Sequence, residues 1–222
     1  MERDAAVDRI EAILETIDAE TMPVPVREVW VFGEVALGLD PIDRLDVYLT
    51  KDVLFGGERK NRKNREGERD RDFEAEFGVK GIGGTVRAEW ALDHPDLIET
   101  SDNGYVAPEK CLAAHLLPDD EPVHLEVCNA SFDANVTQRL EGALAREIYG
   151  EILDPRGVCL WVDGERDGEA LGRLREGSFA MPTLEEALEM LGADSEVATE
   201  AAAAMRRDRS DADGASVRGD VV

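Results

Sequence analysis

The sequence predicts an α/β or α+β fold, a single compact domain with a mixed sheet and helices packed on it. Three observations lead there. Through the second half, strand-period and helix-period segments alternate, which favours layered helices and sheet. The length of 222 residues suits one good core or two small ones. Strong apolar periodicity persists despite a formal net charge of −25, which argues against the disorder that an acidic, aromatic-poor chain otherwise suggests. The expected domain spans 1–192, with a division into 1–100 and 101–192 left open, and a disordered, acidic, Ala-rich tail is expected at 193–222, with one frayed Ala-rich helix at its start left open.

In order along the chain, Ala6, Ile10, Ile13, Leu14 and Ile17 form one apolar stripe on a helix over 4–18, and MPVPV ends it. Strands are expected at Val29 to Phe32 and Leu45 to Leu49. Residues 56–72 are charged and almost free of apolar side chains, an exposed loop. Thr85 can cap a short helix carrying Val86, Trp90 and Ala91. Pro108 suits the first turn of a helix through Leu117. Val123, Leu125 and Val127 alternate with His124, Glu126 and Cys128 on a strand. Asn135 and Gln138 fit a capping box opening a helix through Leu153, and GVCLWV, from Gly157 to Val162, is an apolar strand closed by Asp163-Gly164. A helix near 167–175, a short FAM strand, and a helix capped by Thr183 with Glu186 complete the domain.

Charge informs on habitat. Fifty Asp and Glu stand against 25 Lys and Arg, and the only lysines are Lys51, Lys60, Lys63, Lys80 and Lys110. The composition looks like that of a salt-accumulating archaeon, where a Debye length of ~3 Å screens self-repulsion. MERDAAVDRI lacks the basic, apolar character of a signal peptide, and no run of about 18 apolar residues occurs. A cytoplasmic protein without a membrane partner is expected. Cys111, Cys128 and Cys159 are odd in number and scattered, unlike a disulfide framework.

Residues 31–49, VFGEVALGLDPIDRLDVYL, carry the one pattern that suggests a reaction. Phe32-Gly33-Glu34-Val35-Ala36-Leu37-Gly38 resembles the first motif of minimal nucleotidyltransferases of the DNA polymerase beta type. The resemblance implies a phosphate-approaching loop at Gly33, Glu34 and Gly38, then a strand whose carboxylates at i and i+2 share a face and hold Mg²⁺. Two positions depart from it. Glu34 stands where the family has Ser, and Arg44 stands at the first Asp position, leaving Asp43 and Asp46 as the catalytic candidates. Whether 31–49 forms a hairpin or a strand–helix–strand unit stays open. The same stretch, with APEKCLAAHLL and DPRGVCLWVDG, is similar to an uncharacterised protein family of haloarchaea.

Two further constellations bear on binding. Cys111, His115 and His124 supply zinc-ligand chemistry, whereas His124 and Cys128 would lie about 13 Å apart on a strand, too far to share an ion. Arg59, Lys60, Arg62, Lys63 and Arg65 form the concentrated positive run and are candidates for an anion. Acidic neighbours flank that run and no aromatic interleaves it, so no nucleic-acid partner is expected. Gly78-x-x-Gly81-x-Gly83-Gly84-Thr85 lacks the Lys of a P-loop and reads as a turn plus helix cap. The leading expectation is a non-catalytic binding or interaction protein, for a nucleotide or a protein partner, on a degenerate nucleotidyltransferase-like core. The alternatives are a Mg²⁺-dependent nucleotidyltransferase and a zinc-stabilised adaptor.

Overall fold

The computed structural model describes residues 1–51, 88–98, 100, 104, 107–117, 121–210 and 214–219. These residues form an α/β domain around a mixed sheet of six strands in the order β5-β4-β1-β2-β3-β6. The strands are β1 (Val26–Phe32), β2 (Leu45–Lys51), β3 (Val123–Cys128), β4 (Gly157–Val162), β5 (Glu165–Arg166) and β6 (Ser216–Arg218). β2 runs parallel to β3, and β3 parallel to β6, while β1 is antiparallel to both β2 and β4. The helices among the described residues are α1 (Arg3–Ala19), α2 (Ala88–Asp93), α3 (Pro108–Leu116), α4 (Phe132–Arg146), α5 (Gly168–Glu176), α6 (Leu184–Met190) and α7 (Ser195–Ser210).

Side-chain alternation divides the sheet into two faces. Val29, Val31, Leu45, Val47, Leu49 and Leu125 join the main core, where Ile10, Ile13 and Leu14 of α1, Leu112 of α3 and Leu174 of α5 pack. On the other face Phe32, Tyr48 and Cys128 meet Phe132 and Val136 of α4. A separate cluster beyond α4 is built from Leu184, Leu188, Ala198, Ala201 and Ala202 of α6 and α7 against Leu140 and Ala143. The result is three layers, with the sheet in the middle.

Several expectations hold and several change. The α1 stripe, the four long strands and the reciprocal Thr183–Glu186 capping box are all present. The turn at Asp163-Gly164 has φ of 46° and 98°, the left-handed pair that closes a two-residue hairpin into β5. Residues 31–49 form a hairpin with a long connection: Phe32 pairs directly with Asp46, and 33–38 is a series of tight turns.

Helix α4 begins earlier than expected, because Ser131 rather than Asn135 is its cap and accepts from the Ala134 amide. It also ends at Arg146, where Glu147 turns left-handed at φ 56°, and does not run to Leu153. A 3-10 turn at Tyr149–Glu151 follows, and Asp208 of α7 lies so close to Gly150 that a Cβ there would collide with it. The FAM segment makes no strand; Phe179 and Met181 lean on the main core from irregular backbone. The segment beyond Gly192, expected to be disordered, carries helix α7 and edge strand β6. Alanine is the best helix former, and three buried alanines find a complementary surface in α4 and α6. The charged run at 56–72 and the glycine-rich stretch at 78–85 lie outside the described residues.

Candidate functional site

A cavity of about 470 Å³ opens where β1 ends and β2 and β3 begin. The turn after β1 contributes Gly33, Glu34, Leu37 and Leu39, and the approach to β4 contributes Ile152, Asp154 and Arg156. The far wall is α7, through Met205, Arg206, Asp208 and Arg209, with Arg218 from β6. Five arginines (Arg44, Arg156, Arg206, Arg209 and Arg218) and four carboxylates (Glu34, Glu126, Asp154 and Asp208) line it.

Asp46 lies beside this cavity, completely buried. Its Oδ1 accepts from Arg44 Nε at 2.8 Å, and its Oδ2 is in contact with Arg209 Nη1. Burial pushes the Asp46 carboxyl above the ordinary aspartate range, against the pull of Arg209 and Arg44. Burial also disfavours the Arg209 charge, but Asp46 and Glu34 more than restore it. Arg209 Nη2 further donates to the Arg44 carbonyl at 3.3 Å. The whole arrangement sits on Gly33, whose φ is +68°, and an added Cβ would collide with Arg209 Nη1 and stand 2.6 Å from Asp46 Oδ2. Gly33 therefore does bring its backbone close to a charged group. That group is an internal ion pair.

Glu34, which departs from the nucleotidyltransferase pattern, has a structural task. Its Oε2 accepts from the backbone amides of Asp43 at 2.7 Å and Arg44 at 3.4 Å, closing the connection into β2. Arg209 Nη2 lies 3.5 Å from the same oxygen.

A second buried carboxylate stands on the neighbouring strand. Register pairs Asp46 with His124 and Tyr48 with Glu126, so all four side chains share one face of the sheet. Glu126 receives Arg139 Nη1 at 3.0 Å and Nη2 at 2.7 Å, and His124 Nε2 is 3.1 Å away. Burial alone would raise this carboxyl, but the hydrogen bonds from His124 and Arg139 hold it down at about 2. His124 Nδ1 faces Ser216 Oγ at 2.8 Å, which ties β6 to the network. Asn135 is buried in the same layer and donates to the Tyr48 hydroxyl at 3.0 Å.

The family model described as "Family of unknown function (DUF7095)" matches residues 2–222. The chain belongs to the DUF7095 family. No curated protein and no solved structure matches it.

In this DUF7095 member the sequence candidates are distributed as follows. Gly33, Glu34 and Asp46 come together around Arg209. Gly38, at φ +70°, lies apart from them against Gly177, where a Cβ would meet backbone at 2.8 Å. Asp43 is exposed in the connection, while Asp46 is buried and engaged by the guanidiniums of Arg44 and Arg209. Cys111 and His124 are on opposite faces of the sheet: Cys111 joins the main core with Leu125, and His124 alternates away from it. His115 Nε2 instead meets Glu20 at 3.1 Å, and burial lowers its pKa while Glu20 opposes that shift. Among the described residues no group of three His, Cys, Asp or Glu side chains is placed to hold a metal ion. Arg59, Lys60, Arg62, Lys63 and Arg65 lie outside the described residues. No helix among the described residues is long and apolar enough to cross a membrane.

Arg44, Arg139, Arg156, Arg206, Arg209 and Arg218 escaped the sequence reading as site residues. For Arg209 a trace was present. Ala198, Ala201, Ala202, Met205 and Arg209 follow helical offsets, an apolar stripe that ends in a cation.

Proposed function

We propose that this protein is a non-catalytic binding protein whose arginine-lined cleft takes a small anionic ligand, with nucleotides as the first candidates. One observation carries the reading. The chain as a whole has 50 acidic residues against 25 Lys and Arg, yet the cleft sets five arginines against four carboxylates. With Asp46 behind the wall the count is five and five, so within a strongly acidic chain this cleft is charge-balanced. A guanidinium has five donors in a planar fork that suits phosphate and carboxylate groups, so a bound anion can share an arginine already facing a protein carboxylate. Leu37, Leu39, Ile152 and Met205 add apolar wall for an organic moiety.

A degenerate nucleotidyltransferase-like core is part of this reading. It draws support from the Gly33 turn between β1 and β2 and from Asp46 on β2, while the engagement of Asp46 by Arg44 and Arg209 supports binding without metal-assisted transfer. The acidic composition favours a haloarchaeal cytoplasm as the setting, and the binding measurement belongs in molar KCl. Calorimetric titration with ATP and with inorganic pyrophosphate, each with and without Mg²⁺, is expected to give saturable binding that persists without the metal. A flat response to both ligands under both conditions would remove the proposal.

A further inference from the structure

The arginines of the cleft come from two separately attached parts of the chain. Arg44 and Arg156 belong to the body around β2 and β4, whereas Arg206, Arg209 and Arg218 follow Gly192. The latter segment is held by modest means. Its apolar contribution is mainly the small side chains Ala198, Ala201 and Ala202. Its strand β6 pairs with β3 through only three residues, His124 to Ser216, Leu125 to Val217 and Glu126 to Arg218. Its charged ties differ in quality. Arg206 makes a two-pronged contact with Glu185 at 2.7 and 3.0 Å, and Arg209 is fixed on Asp46 and Glu34. Arg218 approaches Glu126 only to 3.9 Å, because Arg139 and His124 already occupy that carboxylate.

Building on the anion-binding reading, we infer that the ligand is a multivalent anion that bridges Arg156 of the body and Arg218 of β6, so that its binding clamps the α7–β6 segment onto the sheet. A single charge could join one wall alone. Two or more linked acidic groups can reach both walls and compensate the carboxylates that the arginines partly leave. Arg218 is the natural contact on the mobile side of this equilibrium, since its present partner is shared three ways. Arg156 on the other side is oriented by Asp154, which takes its Nε at 2.9 Å and Nη2 at 2.8 Å and so leaves Nη1 available to a ligand. By linkage, a ligand that needs both walls must stabilise the docked segment by the same factor with which docking improves its affinity.

Hydrogen exchange on the full chain in molar KCl tests this, with pyrophosphate and citrate as probes and orthophosphate as the control with a single acidic group, alongside calorimetry. At a probe concentration 100 times its Kd, amides of α7 and β6 that exchange by undocking should slow by up to about 100-fold, while those of α1 keep their rates. Arg218→Gln, checked for unchanged α1 exchange, should weaken pyrophosphate or citrate about tenfold or more and abolish the slowing. Binding of a probe with unaltered α7 and β6 exchange overturns the clamp and leaves the anion-binding reading standing. Full affinity in Arg218→Gln, or orthophosphate slowing the segment as strongly as pyrophosphate, also overturns it. Absence of binding by both multivalent probes overturns the clamp and the anion-binding reading together.

Discussion

Asp46 and Glu126 are buried carboxylates on adjacent parallel strands, facing the same side of one sheet, yet their acidities move in opposite directions. Asp46 is raised and Glu126 is lowered. The difference lies in how their partners meet them. Glu126 receives a fork of two guanidinium nitrogens and an imidazole, directed at its oxygens. Asp46 is sealed more completely, and its two arginines offset the loss of water without exceeding it. Proximity of a cation does not decide the sign of a shift by itself; directed donors weighed against lost hydration do.

The largest expected effect breaks the Asp46 side. Arg209→Ala removes one of two guanidiniums from a fully buried charge, and should cost about 3 kcal/mol, at the low end for a broken buried pair because Arg44 remains. Denaturant unfolding in molar KCl measures it, and a loss below about 0.5 kcal/mol, the size of an ordinary surface change, would mean that Arg209 does not hold Asp46.

Acid titration sharpens the same contrast. The folded value of about 2 for Glu126 lies below the ordinary glutamate value of 4.5. Its contribution is therefore present above pH 4.5 and disappears as pH falls toward 2, for a total of about 3 kcal/mol. Asp46 has the reverse sign: being raised, it favours folding below the ordinary aspartate value, and that contribution is lost as pH rises through its folded value. Stability curves of wild type and Glu126→Gln should be separated by a constant gap above pH 4.5 and converge as pH falls from 4.5 toward 2; a gap that stays unchanged through that window would contradict the assigned cause.

The smallest expected effect concerns Asp43. It is exposed, and Asp43→Asn should change stability by less than about 0.5 kcal/mol. A loss on the scale of Arg209→Ala would show that Asp43 and Asp46 act as a unit after all.

Much of the fold was legible because it rests on local periodicity. The stripe from Ala6 to Ile17, the alternation in β3 and the Thr183–Glu186 box each announce an element within one or two turns of chain. Elements whose cause is distant were not legible. The end of α4 comes at Glu147, a non-glycine residue in left-handed backbone that no local signal announces, and β6 is three residues with no pattern of their own. The site divides in the same way. Gly33, Glu34 and Asp46 were visible as an unusual local pattern, but their meaning depends on Arg209, whose bond to the Arg44 carbonyl spans 165 positions.

That separation has a consequence for how the protein comes into being. β2 sits at the centre of the sheet, yet the guanidinium that meets Asp46 belongs to a helix made much later on the ribosome. Until that helix emerges, Asp46 has Arg44 alone, and the cleft that α7 will wall stays open to water. Vectorial synthesis should yield a formed main core with a hydrated Asp46 that α7 covers last, and a nascent chain truncated before Ser195 should be captured in that state.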